Sequence, residues 1–246
     1  VVPTKEPYQK RTSHGMILGE GGVKMSKSLG NVVNPNDVVA QYGADTMRLY
    51  IMFIGDFEKV AAWSDNAVRG CKRFLDRVWN LSESDMADGV EYSEKNAAAI
   101  HKAIRKVASD IDEMKFNTAI AALMSLVNDF YDNGLNKADF KALLLMLSPF
   151  APHICEEMWH NLGFEGFIVK QPWPEYDESK TISETVTIAV QVGGKFKGTV
   201  DMPLNSAEAD VVAAACASEK IAKQVGGKQI VKTIYIKNKL VNLIVK

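Results

Sequence analysis

Two lysines three residues apart, Lys24 and Lys27, have the residue types and spacing best suited to chemistry in this sequence. A lysine ammonium is a mobile point charge with three donors, and it suits phosphate oxygens. Glycines on both sides leave the loop free to close on a polyphosphate. A lone Lys-x-x-Lys is usually a solvated basic loop. The residues of the longer run are Gly21-Gly22-Val23-Lys24-Met25-Ser26-Lys27-Ser28-Leu29-Gly30-Asn31.

Short elements on both sides are predicted to position this run, which we call the lysine loop. Before it, residues 16–18 are apolar and predict a short buried strand. After it, Asn34 is the predicted N-cap of a helix that ends near Gly43. Asp45 is predicted to cap the next helix, which extends to about Phe53. The lysine loop would then lie on a platform of one strand and two helices.

A helical region follows. Apolar residues at helical spacing predict helices over 66–82, 93–113, 116–133 and 138–147, which form an antiparallel bundle. The inward positions of the bundle contain no evident cluster of titratable residues. One side of the first helix is basic, which indicates either a solvated face or contact with a polyanion; its residues are Arg69, Lys72, Arg73 and Arg77.

No metal site or disulfide framework is predicted. The three cysteines are far apart in sequence and show no Cys-x-x-Cys spacing. His153, Cys155, Glu157 and His160 lie on one predicted helix, but their apolar neighbours give an adequate packing explanation. We therefore expect a reducing, cytoplasmic location and no membrane span, since no run of 18 apolar residues exists.

The last segment reads as a small basic α+β module. Strands are predicted over 185–192 and 195–202, helical structure over 206–225, and a second hairpin over 230–236 and 240–245. This β-β-α-β-β order predicts a small sheet with a helix on one face. Residues 185–246 contain nine lysines and four acidic residues, a net charge of +5. Such a surplus favours contact with a polyanion.

The predicted fold class is mainly α with a small α+β module. We assign residues 1–60 to the lysine-loop platform, 61–180 to the helix bundle and 181–246 to the terminal module. The sequence begins Val1-Val2-Pro3 without an initiator methionine or signal-peptide pattern. We therefore expect it to be part of a longer protein.

Three motifs resemble one enzyme family. The lysine loop, followed by Tyr42-Gly43-Ala44-Asp45 and Arg48, resembles the second signature loop of class I aminoacyl-tRNA synthetases, in the branch for leucine, isoleucine and valine. The segment 148–153 resembles part of the helical anticodon-binding domain of the same enzymes. Residues 190–198 and 235–243 resemble the C-terminal domain of bacterial leucyl-tRNA synthetases.

The resemblance implies that the chain is the C-terminal part of a leucine–tRNA ligase, with residues 1–60 a remnant of the catalytic domain. It implies leucine, tRNA(Leu) and ATP with Mg²⁺ as substrates, a monomer, and no protein-bound metal. Lys27 is the expected main catalytic residue and Lys24 its assistant, and residues 24–28 bind ATP. The implied ATP-binding residues are Lys24, Met25, Ser26, Lys27 and Ser28. The tRNA-binding candidates are Arg73, Lys195, Lys197, Lys228, Lys232, Lys237 and Lys239.

Two alternatives stay open. In the first alternative, the chain is a stand-alone tRNA-binding module without catalysis. In the second, it is the corresponding part of a valyl- or isoleucyl-tRNA synthetase. The family's first signature, His-Ile-Gly-His, has no match here, and leucine-pocket and editing residues are missing. We therefore expect this polypeptide alone to be inactive in leucine activation.

Overall fold

The computed structural model describes residues 3, 5–6, 8, 10–181, 185–226 and 229–246 of the 246-residue chain. Lys228, a candidate for tRNA binding, lies outside the described residues. The chain divides into two compact units, Val1–Thr181 and Ile182–Lys246. Residues 1–60 and 61–180, which we assign to separate domains from the sequence, share the first unit and one hydrophobic core.

The first unit begins with the platform of the lysine loop. Strand β1 (Ile17–Leu18) pairs in parallel with β2 (Ala61–Ala62), and helices α1 (Pro35–Tyr42) and α2 (Ala44–Phe53) follow the loop. Asn34 caps α1 as predicted, since its Oδ1 accepts from the Asn36 amide at 3.1 Å. The strand is only half-buried and Met16 is 51% exposed, so the prediction of a buried strand is wrong.

Five further α-helices follow in the first unit. They are α3 (Asp65–Ser82), α4 (Glu94–Asp112), α5 (Phe116–Asn133), α6 (Lys137–Leu147) and α7 (Pro152–Asn161). The first four begin and end within one residue of the predicted bounds. Their apolar stripes meet in one core whose largest fully buried side chains include Trp159, Phe130 and Phe140. Tyr50 of α2 belongs to the same core, so the platform and the helices are packed as one body.

Asp45 does not cap its own helix, contrary to the sequence prediction. The N-cap of α2 is Gly43, and no side-chain hydrogen bond caps that end. The Asp45 carboxylate instead accepts from the Ile154 amide at 2.6 Å and lies 2.7 Å from Nδ1 of His153. It thus caps the first turn of α7, which has no side-chain cap of its own. A partner 109 residues away cannot be read from local spacing.

Buried polar side chains inside the bundle were also missed by the sequence analysis. Asp139, at the start of α6, is fully buried, and Asn96 and Asp110 of α4 are buried as well. The Asp139 carboxylate accepts from the Ser93 amide and hydroxyl, from Asn96 Nδ2 and from the Asn136 amide. The single carboxylate therefore joins the beginning of α4 to the turn before α6.

The second unit is a four-stranded sheet with two short helices. Its strands are β3 (Thr185–Val192), β4 (Lys195–Pro203), β5 (Ile230–Ile236) and β6 (Leu240–Val245), in the order β4-β3-β6-β5. Both hairpins are antiparallel, and the central strands β3 and β6 pair in parallel. Helices α8 (Glu208–Ala217) and α9 (Glu219–Val225) contribute Val211, Ala215 and Ile221 to its separate core.

The described residues are mainly helical with a small mixed sheet, which agrees with the predicted fold class at that level. Within the ranges that the structure describes, no helix is both long and apolar enough to cross a membrane.

Candidate functional site

The lysine loop is a short structured turn rather than an open coil. Ser26 is the N-cap of a 3-10 turn, Lys27–Leu29. Its hydroxyl accepts from the Leu29 amide at 3.3 Å and lies 3.0 Å from the Ser28 hydroxyl. The Leu29 amide also donates to the Ser26 carbonyl at 3.2 Å, so Ser26 shapes the turn that carries Lys27 with both its side chain and its backbone.

Asn31 closes the base of the loop. Its Oδ1 accepts from the Ser26 amide at 2.9 Å, and its Nδ2 donates to the Lys24 carbonyl at 3.2 Å. One amide side chain thus mimics a strand neighbour and holds the backbone on both sides of Met25. Met25 in turn packs against the hydrophobic core of the first unit. The sequence analysis missed this role of Asn31; its signal was an asparagine directly after the glycine that ends the loop.

Both lysine side chains are accessible to a ligand. Lys24 and Lys27 are exposed, and neither forms an ion pair with another residue of the described ranges. Two unpaired ammonium groups on a fixed backbone, beside two serine hydroxyls, fit the oxygens of a polyphosphate. The loop has no carboxylate of its own, so its donors suit phosphate and not a divalent cation.

The ends of the loop are tied to helix α2 from two directions. On the entry side, Trp63 donates its amide to the Leu18 carbonyl at 2.9 Å, and the Ser64 amide donates to the Tyr50 hydroxyl at 2.8 Å. Tyr50 packs edge-on against Trp63, with ring centroids 4.8 Å apart. Burial raises the pKa of the Tyr50 phenol above its ordinary value, so it stays a neutral hydroxyl at this contact. On the exit side, α1 leads into α2 through Gly43.

The basic side of α3 is only partly free. Lys72 pairs with Asp76, and Arg77 donates to Asn128 Oδ1 at 2.9 Å and stacks over the ring of Tyr131. Those two residues support the protein's own structure. Arg69 and the predicted tRNA-binding residue Arg73 are exposed.

The structure separates the predicted tRNA-binding lysines of the second unit into two groups. Lys195, Lys197 and Lys232 lie at the sheet end that carries the Gly193-Gly194 turn, because Val192 pairs with Lys195 and Ile244 pairs with Lys232. Lys237 and Lys239 lie in the β5–β6 turn at the opposite end, since β3 and β6 are parallel. All five are exposed except Lys197, which is half-buried.

The described side chains bring no three histidine, cysteine or acidic residues close enough to hold a metal ion. Cys155 is fully buried, and burial raises the pKa of its thiol well above the ordinary value. His153 contacts Asp45, and Glu156 accepts from the Ile168 amide at 3.1 Å. Each of these residues therefore has a packing or hydrogen-bonding role.

Known proteins match the chain along its whole length. Residues 2–64 match the family "tRNA synthetases class I (I, L, M and V)", and residues 97–213 match "Anticodon-binding domain of tRNA ligase". The chain is 53% identical over 247 residues to the leucine–tRNA ligase of Alkaliphilus oremlandii (strain OhILAs). It is 47% identical over 253 residues to that of Chloroherpeton thalassium (strain ATCC 35110 / GB-78).

Each of these two alignments covers 100% of this chain and 31% of the relative, so the chain spans less than a third of their length. Among solved structures, the LeuRS of Agrobacterium radiobacter K84, in a ternary complex with tRNA and LeuAMS, has a similar fold with a TM-score of 0.65. That match has 30% identity and covers 95% of this chain and 33% of the other.

Proposed function

Because the chain belongs to the leucine–tRNA ligases among the class I tRNA synthetases, we propose that it is the C-terminal part of such a ligase. The complete enzyme would activate leucine with ATP and transfer it to tRNA(Leu). In that enzyme, this chain supplies the lysine loop for ATP and surfaces for tRNA. The alternative of a valyl or isoleucyl enzyme loses support because the relatives at 42–53% identity are leucine–tRNA ligases.

The conformation of the lysine loop is the observation that carries the proposal. Asn31 and Met25 fix its backbone, while the ammonium groups of Lys24 and Lys27 stay exposed. A charge that is already in place costs little reorganisation when negative charge develops on a reacting phosphate. The loop also lies within the residues that match the class I family.

The proposed role of the loop follows from where charge develops in the reaction. The leucine carboxylate attacks the α-phosphate of ATP, a new bond to that phosphorus forms, and the bond to the leaving pyrophosphate breaks. Negative charge grows on the pyrophosphate, and Lys27 stabilises it, with Lys24 assisting. A contact that strengthens in the transition state raises kcat more than it lowers KM. Mg²⁺ would enter with the ATP phosphates as part of the substrate.

Leucine-dependent ATP–pyrophosphate exchange by the complete ligase tests this role. We expect Lys27→Ala to lower kcat about 10²-fold, in the range measured for losing one preorganised donor to a developing anion, with a smaller loss for Lys24→Ala. Lys95→Ala, which removes an exposed lysine on α4, is the matched control and should leave kcat unchanged. Equal kcat values for Lys27→Ala and the control would refute the catalytic assignment.

The two lysine groups of the second unit allow a separate test of tRNA contact. A lysine that contacts a phosphate releases a counterion. Each lost contact should therefore make the slope of the logarithm of the tRNA binding constant against the logarithm of the salt concentration less negative by about 0.9 for a duplex. We expect one lysine group to carry this effect more strongly, because the groups lie at opposite ends of the sheet. The paired variants are Lys195→Gln/Lys232→Gln and Lys237→Gln/Lys239→Gln, measured against Lys95→Gln. Unchanged slopes in both pairs would refute tRNA contact by these four lysines.

The stand-alone alternative has its own signature. A wild-type polypeptide that binds tRNA with strong salt dependence, while the complete gene product lacks leucine-dependent exchange, would favour a tRNA-binding module without catalysis.

A further inference from the structure

Helix α2 connects both ends of the lysine loop to the rest of the first unit. The entry strand reaches α2 through Trp63 and the Ser64–Tyr50 hydrogen bond. The exit helix α1 is mostly exposed, and Val38 is its only buried residue. Because α1 has few buried residues of its own, the position of the loop's exit depends on where α2 lies, while Met25 anchors the middle of the loop to the core.

The beginning of α2 is held by two side chains that reach the start of α7. Asp45 is 8% exposed, and its two oxygens contact the Ile154 amide and His153. One turn further along, Arg48 Nη2 donates to the Pro149 carbonyl at 3.2 Å. The Asp45 carboxylate is stabilised by the partial positive charge at the N-terminus of α7. The Arg48 guanidinium forms a charge-assisted hydrogen bond with the Pro149 carbonyl.

On the other side of this contact, Gly43 is the joint between α1 and α2. Gly43 joins α1 to α2 with φ +91° and ψ 156°, a backbone conformation that favours glycine. A pocket of about 340 Å³ opens beside it, lined by residues that include Tyr42, Gly43 and His153. The beginning of α2 therefore has space to shift if its link to α7 is lost.

We propose that Asp45 and Arg48 are positioning residues that hold the lysine loop in its ATP-competent place by clamping α2 to the first turn of α7. The inference rests on the proposed function, because the loop must act on ATP for its position to affect a rate. Neither residue is assigned a contact with substrate. They act through α2, Gly43 and α1 on Lys24 and Lys27.

Kinetics of the complete ligase test the clamp. Asp45→Ala removes both acceptors, whereas Asp45→Asn keeps an oxygen for the Ile154 amide. Arg48→Gln removes only the exposed half of the clamp. Misplacing reacting groups by an ångström costs rate steeply, so we expect Asp45→Ala to lower kcat for leucine-dependent exchange roughly tenfold or more. Smaller losses should follow in Asp45→Asn and Arg48→Gln. KM for leucine and the Kd for tRNA should not change.

Asp37→Asn, which neutralises an exposed acid on α1, is the matched control and should behave as wild type. Hydrogen–deuterium exchange gives a second readout: residues 20–31 should exchange faster in Asp45→Asn and Arg48→Gln than in the control. These two milder variants carry the test if Asp45→Ala does not fold.

The outcomes separate this inference from the proposed function. If wild type shows leucine-dependent exchange but Asp45→Asn and Arg48→Gln keep its kcat and its loop exchange, the clamp is purely structural and the inference fails alone. If the wild-type ligase shows no leucine-dependent exchange, the proposed function fails and the inference with it.

Discussion

Replacing Asp139 should reveal how much one buried carboxylate contributes to the first unit. Its side chain is 0% exposed, and four donors surround it. Only the Ser93 amide bonds Oδ1; the Ser93 hydroxyl, Asn96 Nδ2 and the Asn136 amide bond Oδ2. Alanine would leave all four donors without this acceptor; a buried donor left unpaired costs about 1–3 kcal/mol, so we expect a total loss of about 3–5 kcal/mol.

Asparagine at the same position should cost less for a geometric reason. Its amide can keep the oxygen at the Oδ2 position, where three donors converge, and place its NH₂ group toward the Ser93 amide. One donor then faces another donor, which costs about 1–3 kcal/mol. The expected order of stability is therefore wild type, then Asp139→Asn, then Asp139→Ala.

Tryptophan fluorescence during urea unfolding measures this order. All four tryptophans, Trp63, Trp79, Trp159 and Trp173, lie in the first unit, so the signal reports that unit alone. When the same fluorescence is followed during heating, Asp139→Ala should lower Tm by about 10 °C, at about 2–4 °C per kcal/mol for a unit of this size.

Asp112→Asn, at an exposed acid on α4, is the control and should stay within about 0.5 kcal/mol of wild type. If Asp139→Asn were as unstable as Asp139→Ala, or if Asp139→Ala matched the control, the hydrogen-bond reasoning would be refuted.

Three further predictions concern protonation, thiol access and backbone packing. Burial lowers the pKa of His101 below 6.5, so its neutral form is favoured in the folded state. Stability is full above about pH 6.5 and falls as the pH drops below that value toward the folded pKa, and His101→Gln should remove this slope in urea titrations at pH 5–7.5. Burial raises the pKa of the Cys71 thiol to about 11, whereas Cys216 is half-buried. Mass spectrometry after brief alkylation should therefore find Cys216 modified and Cys71 unmodified until urea is added. Equal labelling of the two cysteines would contradict this packing. A Cβ at Gly15 would lie 1.8 Å from the Lys59 carbonyl oxygen, so Gly15→Ala should displace the β1–β2 pair. We expect faster amide hydrogen exchange at Ala61 in this variant. Unchanged exchange at Ala61 would argue against that close approach.

The helices and strands followed from local patterns in the sequence. Apolar residues at helical spacing gave α3 to α6 to within a residue, because an amphipathic stripe is repeated every turn. The Gly193-Gly194 pair and the short run 237–239 marked the two hairpin turns, since tight turns restrict residue choice. The parallel pairing of β3 with β6 was not predicted, because strand neighbours distant in sequence leave no local mark.

For the candidate site too, some features followed from the local sequence and others only from the folded structure. The sequence alone determined the chemical identity of the lysine loop: two ammonium groups and two hydroxyls at a fixed spacing among glycines. Only the tertiary structure decided what supports the loop. Asn31 braces its base, the Ser64–Tyr50 hydrogen bond ties its entry strand to α2, and Asp45 reaches α7 rather than its own helix. Local spacing encodes residue type and periodicity, whereas a hydrogen bond between residues 109 positions apart exists only after the chain has folded.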